Sequence, residues 1–105
     1  MPLGSPVLLT NASYGTLGGY NVVKVNLTNV SPSSLDLVVF AVWKSSAFQT
    51  VEVTTGGLTL ATAATGTTFA PLASPPPSGT YAVFVFTVTT SNHPVSQTFS
   101  FSVTI

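Results

Sequence analysis

The sequence predicts an all-β protein: a single sandwich of seven or eight strands whose N-terminal strand can extend away from it. The 105 residues include 17 Thr, 15 Val and seven Phe, which suit pleated, half-buried surfaces. Short segments of alternating apolar and polar residues are divided by Gly, Pro, Asn and Ser, as in a sandwich. No segment has the 3.6-residue period of an amphipathic helix, and the length suits one domain.

The first half of the chain contains three predicted strands. PVLLTNAS (6–13) is the first, and the glycine-rich segment YGTLGGY (14–20) follows it. NVVKVNLTN (21–29) alternates apolar and polar residues, as a strand with one buried face does. After the SPSS turn, LDLVVFAVWKSS is apolar on both faces between Asp36 and Lys44. That pattern predicts a central strand covered on both sides.

The second half continues with short strands. FQTVEV, GLTLAT and TTFAPL are divided by turns at Gly56-Gly57 and Gly66, and the PPPSG loop (75–79) leads into TYAVFVFTVTT. The last segment, VSQTFSFSVTI (95–105), alternates throughout and would run roughly 36 Å as one strand. It carries no charge, so nothing in the sequence guards its edge.

The inward positions of these strands predict one hydrophobic core. Trp43 follows the central apolar run and is its expected aromatic anchor. The predicted core residues are Leu27, Leu37, Val39, Trp43, Tyr81, Val83, Val85, Phe99, Phe101 and Val103.

Charged residues are scarce. The chain has Lys24, Asp36, Lys44 and Glu52, which make 4% of its residues, whereas soluble proteins are typically about a quarter charged. Two separated lysines cannot form the basic surface that nucleic acid or acidic lipid requires. The absence of cysteine excludes disulfides and thiolate metal sites.

The few candidate chemical groups favour no reaction. His93 lies in an SNHP turn, and a metal site needs three or four ligands. Asp36 and Glu52 could form a carboxylate pair for glycoside hydrolysis, but solvated charges at strand ends are the ordinary interpretation. The glycine pairs at 18–19 and 56–57 match no phosphate-binding motif and are interpreted as turns. We therefore expect no enzyme activity, cofactor or metal.

Two possible modifications remain open. Asn11, Asn26 and Asn29 each begin an N-x-[ST] glycosylation sequon, although chance matches are expected in a chain rich in Ser and Thr. Lys24 could form an isopeptide crosslink with help from Asp36 or Glu52, but a solvated position for Lys24 is the simpler hypothesis.

No membrane-spanning helix is predicted, because the longest apolar run, LVVFAVW, is far shorter than the roughly 20 residues that a bilayer requires. The opening MPLGS lacks the basic and apolar regions of a signal peptide. Its PLGS resembles a protease-site cloning scar, so the residues before Ser5 need not be native. The export route stays open.

Three stretches carry a resemblance to a known family: VKVNLTNVSPSSLDLVVFAVWKSS, GLTLATAATGTTFAPL and PPPSGTYAVFVFTVTTSNHPVS. Together they resemble immunoglobulin-like β-sandwich domains of archaeal and bacterial cell-surface or filament proteins, over roughly residues 21–105. The near absence of charge and the PPPSG loop depart from the usual pattern. The resemblance implies a sandwich domain at the cell surface or outside the cell.

Two hypotheses for function follow. In the first, residues 1–19 are an N-terminal segment with a flexible hinge, and residues 20–105 are the sandwich. The segment would add to a neighbouring copy's sheet and build an extracellular homopolymer such as a pilus, because missing surface charge suits a surface buried between subunits. Its assembly residues would be Val7, Leu8, Leu9 and Thr10, and its hinge Gly15, Gly18 and Gly19. In the alternative, the segment is the first strand of its own sandwich, and the chain is a spacer or adhesion domain of a larger surface protein.

Overall fold

The computed structural model describes residues 6–74, 77–91 and 93–105, and these residues form an all-β sandwich, as the sequence predicts. The MPLGS segment lies outside the described residues, as do two prolines of the PPPSG loop. The described part contains no helix long and apolar enough to cross a membrane. The strands are β1 (Val7–Leu17), β2 (Tyr20–Asn29), β3 (Leu35–Lys44), β4 (Thr50–Leu60), β5 (Thr65–Pro71), β6 (Thr80–Thr89) and β7 (Phe99–Thr104).

The strands form two antiparallel sheets. One sheet has the order β1-β2-β5, and the other has the order β4-β3-β6-β7. In constant-type immunoglobulin domains the fourth strand belongs to the sheet of the first, second and fifth strands. Here β4 pairs with β3 instead, so β3 is a central strand of the larger sheet.

A tight hairpin joins β1 to β2 where the sequence predicted a flexible hinge. Gly18 and Gly19 have φ angles of 57° and 85°, and the strands close on the pair Leu17 and Tyr20. Two consecutive positive φ values are typical of a type I′ turn, which matches the twist of the strands it joins. Gly15 lies inside β1, opposite Val22. The structure therefore replaces the predicted hinge with continuous pairing and a two-residue turn.

Gly56 and Gly57 lie inside β4 and do not form the predicted turn. A Cβ atom on Gly56 would overlap the carbonyl oxygen of Phe69, so only glycine allows β4 to approach β5 so closely. The hydroxyl of Thr68 also donates a hydrogen bond of 2.9 Å to the carbonyl of Gly57. These contacts close one side of the sandwich.

The other side is closed by the segment before β7, which the sequence predicted as part of one long strand. Val95 donates its N–H to the carbonyl of Thr87 in β6 and accepts the N–H of Val7 in β1, each at 3.0 Å. Because Val95 bonds to a strand of each sheet, it does not continue the regular pairing of the last segment, and β7 begins only at Phe99.

The core lies between the sheets, and Trp43 is its largest fully buried side chain. The Trp43 ring makes edge contacts with Tyr14 and Tyr81 at centroid distances of 5.4 and 5.8 Å. The hydroxyl of Tyr81 donates a 2.6 Å hydrogen bond to the carbonyl of Pro77. Of the ten predicted core residues, Phe99 and Phe101 are only partly buried, because β7 is an edge strand. The other eight are buried: Leu27, Leu37, Val39, Trp43, Tyr81, Val83, Val85 and Val103.

Candidate interaction face

The centre of the outer face of the four-stranded sheet is apolar, whereas the outward residues of its edge strand β7 are Ser and Thr. Alternate residues of β3 point into the core, from Leu37 to Trp43, so the residues between them point outward. The outward residues of β6 stand beside them, with Phe86 opposite Phe40 and Phe84 opposite Val42. We call this surface the apolar face, and it consists of Val38, Phe40, Val42, Val53, Phe84 and Phe86.

Aromatic contacts fix the side chains of this face. The rings of Phe40 and Phe86 lie 5.4 Å apart, and those of Phe48 and Phe84 lie 6.1 Å apart. Phe48, in the loop before β4, is 68% exposed with a φ angle of 63°, and Val53 is 50% exposed. Large apolar side chains therefore project into solvent at one end of the face.

Opposite charges stand at the two ends of the outward row of β3. The carboxylate of Asp36 accepts a 2.8 Å hydrogen bond from the hydroxyl of Thr59. The Nζ atom of Lys44 donates to the hydroxyl of Thr50 at 3.1 Å and lies 5.3 Å from the Phe48 ring centre. These hydrogen bonds go to neutral hydroxyls, so neither charge is neutralised by them. The two charged residues are about 26 Å apart along the strand.

The outer face of the three-stranded sheet is different, because its polar side chains bond to one another. The Asn26 side-chain oxygen accepts a 2.7 Å hydrogen bond from Thr67, and the hydroxyls of Thr28 and Thr65 lie 2.9 Å apart. Lys24 is exposed on the same face, opposite Phe69 in the register.

The predicted assembly strand lies in its own sheet. Val7 is buried opposite Asn29, and Leu9 stands opposite Leu27. Leu8 points outward and is 49% exposed, while the hydroxyl of Thr10 donates to the carbonyl of Asn26 at 3.2 Å. A bulge follows Leu9 and shifts the register. The residues of the proposed exchange thus already have partners in the same chain.

The candidate catalytic and crosslinking residues are not brought together. Asp36 stands opposite Thr59, and Glu52 opposite Trp43, so they are about seven residue steps, or about 23 Å, apart along the sheet. Lys24 points outward from the other sheet, away from Asp36, so the geometry gives no crosslinking pair between them.

His93 is exposed, and its backbone N–H donates to the Thr89 hydroxyl at 3.2 Å. Within the described ranges, no group of three His, Cys, Asp or Glu residues could hold a metal ion.

The three sequon asparagines differ in accessibility. Asn29 is fully buried, and its amide donates to the carbonyls of Ser33 and Leu60 at 2.9 and 3.0 Å while its oxygen accepts the N–H of Ser31 at 2.9 Å. It fixes the β2–β3 loop and leaves no room for a glycan. The sequence offers a signal for this role that the sequon interpretation did not use: Asn29 stands just before the SPSS turn, and an Asn side chain that bonds the backbone two residues on forms an Asx turn. Asn11 is exposed, and Asn26 is half-buried.

Comparison with known proteins locates the fold in enzymes much larger than this chain. No protein-family model and no curated protein matches the sequence. The structure is similar to part of a β-glucuronidase from glycoside hydrolase family 2, with a TM-score of 0.71 and 11% identity. The matched region covers 95% of this chain and 13% of the β-glucuronidase chain.

Two further structures show the same relation. The Bacteroides uniformis β-glucuronidase matches 95% of this chain with a TM-score of 0.74 and 8% identity, over 14% of its own length. A Bacteroides fragilis protein described as a β-galactosidase matches 97% with a TM-score of 0.60 and 14% identity, over 16% of its length. At such low identity the likeness shows a shared sandwich fold and carries no activity to this chain.

Proposed function

We propose that this chain is a non-catalytic immunoglobulin-like spacer domain of a larger extracellular or cell-surface protein. The observation that carries the proposal is the path of the backbone, which enters the sandwich at one end and leaves it at the other. The comparisons support it, since the same fold occupies 13–16% of three longer proteins.

The two ends are located by backbone hydrogen bonds. The N–H of Val7 at the start of β1 donates to the carbonyl of Val95, which precedes β7. The chain then runs along β7 to Ile105, which exchanges hydrogen bonds of 2.9 and 3.0 Å with Gly79 at the opposite end of the sheet. The ten residue steps from Val95 to Ile105 span about 30 Å. Since the longest dimension is 43 Å, a sandwich inserted between two domains would hold them apart along most of its length.

The pairing of β1 favours this hypothesis over the strand-exchanging filament subunit. Ten residue pairs join β1 to β2 of the same chain, and a two-residue turn connects the strands. Releasing β1 would uncover Val7 and Ala12, which are buried in the core cluster. Exchange would have to break these contacts before a neighbouring copy could restore them.

The spacer hypothesis can be tested by joining one reporter domain to each end of the chain and measuring their separation by energy transfer. We expect a separation set by the 43 Å axis that stays constant with added denaturant until the sandwich unfolds in one cooperative step. The matched control replaces the sandwich with a Gly/Ser linker of equal length, whose separation should change gradually.

Reporters that lie side by side, or a separation that drifts before the unfolding transition, would contradict the proposal. Open-ended polymers of the unfused chain, lost on deletion of residues 1–13, would instead establish the filament hypothesis.

A further inference from the structure

The outward row of β3 is self-complementary. The row consists of Asp36, Val38, Phe40, Val42 and Lys44. Followed in the opposite direction, it has the same three apolar residues, with a positive charge where the first direction has a negative one and the reverse. Phe40 lies at the centre, with its ring against Phe86 of the neighbouring strand. A surface of this kind can match a second copy of itself, provided that the two copies run in opposite directions.

We propose that two copies of this chain associate through their apolar faces as a two-fold symmetric dimer in which the β3 strands run antiparallel. This inference goes beyond the spacer function and does not depend on it. An isologous contact of this type places Asp36 of each copy near Lys44 of its partner and closes after two copies.

Charge selects the antiparallel arrangement. Two sheets packed face to face are about 10 Å apart, within reach of a lysine side chain and a carboxylate extended toward each other. A two-fold axis across the strands brings Lys44 to Asp36 of the other copy. An axis along the strands would place Lys44 against Lys44 and Asp36 against Asp36, which is repulsive.

The shape of the face agrees with the same axis. Val53 projects from β4 opposite Val42, and Gly57 occupies the equivalent place opposite Val38. The axis across the strands places Val53 of one copy over Gly57 of the other, so a projecting side chain meets an open position. Phe40 and Phe86 lie near the axis and meet their own copies there.

The area sets the expected strength. Contact over the whole outer face, with four strands about 4.8 Å apart and a length of about 26 Å, gives at most about 500 Å² on each copy, or about 1,000 Å² for the pair. The strands β3 and β6, which carry most of the apolar side chains, make up about half of that area. Even the whole area is near the lower limit for a specific interface, so we expect a weak dimer whose population rises with protein concentration.

The test is sedimentation equilibrium of the full chain over a range of concentrations, with charge-reversal variants. Asp36→Lys alone and Lys44→Asp alone each turn two attractive pairs into two repulsive ones, so each should weaken the dimer roughly tenfold. Mixing the two variants should restore wild-type affinity as a heterodimer, and the double variant Asp36→Lys/Lys44→Asp should restore it within one chain. Lys24→Asp, on the other outer face, is the matched control and should change nothing.

A second pair of variants tests the apolar part. Phe40→Thr should reduce association severalfold, whereas Phe69→Thr, on the outer face of the three-stranded sheet, should not; circular dichroism would check that both variants fold.

A monomer at millimolar concentration, single reversals with unchanged association, or equal effects of the two Phe variants would overturn the proposal. The first outcome would indicate that another domain of the larger protein covers this face. Failure of the dimer would leave the reporter-separation result intact, so the two proposals fail separately.

Discussion

The two outer faces of the sandwich have the same backbone architecture but opposite surface chemistry. On the three-stranded sheet, Asn26 and Thr67 bond to each other, as do Thr28 and Thr65, so the face satisfies its own polar groups. On the four-stranded sheet, aromatic and valine side chains point outward between two charges that form hydrogen bonds to hydroxyls. The first face is complete in the isolated chain, whereas the second is complementary to another copy of itself.

The difference between the two outer faces distinguishes residues that determine folding from residues that determine association between copies. Substitutions in the layer between the sheets should change the free energy of unfolding, those on the apolar face should change association, and those on the polar face should change neither by much. The predictions below test this division from the largest expected effect to the smallest.

Replacing Trp43 with Ala should lower the free energy of unfolding by about 3–5 kcal/mol, because it removes the largest fully buried side chain of the core. Phe101→Ala should cost only about 1–2 kcal/mol, since that side chain is partly buried on an edge strand. Trp43→Phe should cost less than Trp43→Ala, because it keeps a ring and removes a buried indole N–H for which the described residues provide no acceptor. Urea unfolding measures all three, and equal losses for Trp43→Ala and Phe101→Ala would contradict the assigned core.

Two neighbouring glycines of β4 test the two sides of one sheet. Gly56→Ala places a methyl group against the backbone of Phe69 and should cost about 1–3 kcal/mol. Gly57→Ala is the control, because its added Cβ would lie 3.9 Å from the nearest atom and should leave stability nearly unchanged. Thermal unfolding at low concentration distinguishes them, and a larger loss for Gly57→Ala would show that the faces are wrongly assigned.

Asn29→Ala should cost about 1–3 kcal/mol, since it removes one hydrogen bond each from the carbonyls of Ser33 and Leu60 and from the N–H of Ser31. The control is Asn11→Ala, whose exposed side chain should contribute less than about 0.5 kcal/mol. Guanidinium unfolding curves measure both changes. An unchanged free energy of unfolding for Asn29→Ala would contradict the stabilising role of Asn29 in the β2–β3 loop.

The smallest effect is expected on the polar face. Thr28→Val combined with Thr65→Val removes both members of a hydroxyl pair, so the change in stability should stay under about 0.5 kcal/mol. Association should also be unaffected, as sedimentation would show. A marked gain in self-association would mean that the polar face prevents contacts between copies and is not neutral.

Alternation along most segments was enough to predict the all-β fold, as in β2, where Val23, Val25 and Leu27 are buried and the residues between them are not. The pattern of β3 also indicated a strand covered on both sides. One of its faces lies in the core, but the other is the half-buried apolar face, so within the chain the prediction holds for a central strand and not for a cover on both sides.

The predictions that differed from the structure depend on contacts distant in sequence. The residues around Gly56 predicted a turn, but β4 continues through it. A glycine is required there because the backbone of Phe69 lies too close for a Cβ atom. The glycine pair at 18–19 was interpreted both as a turn and as part of a hinge, and the turn is correct, since adjacent glycines between two strands are a hairpin signal. Val95 ends the regular pairing of the last segment because it bonds to β1, about ninety residues earlier in the chain.

An amide NMR dilution series from millimolar to micromolar concentration would show whether the sandwich is complete within one chain and presents one interactive face. If so, the amides of β1 stay protected from hydrogen exchange at every concentration. Chemical shifts then change with concentration at Phe40, Val42 and Phe86 but not at Lys24 or Thr67. Protection of β1 that disappears on dilution, or shifts that move on the polar face, would contradict this description of the sandwich.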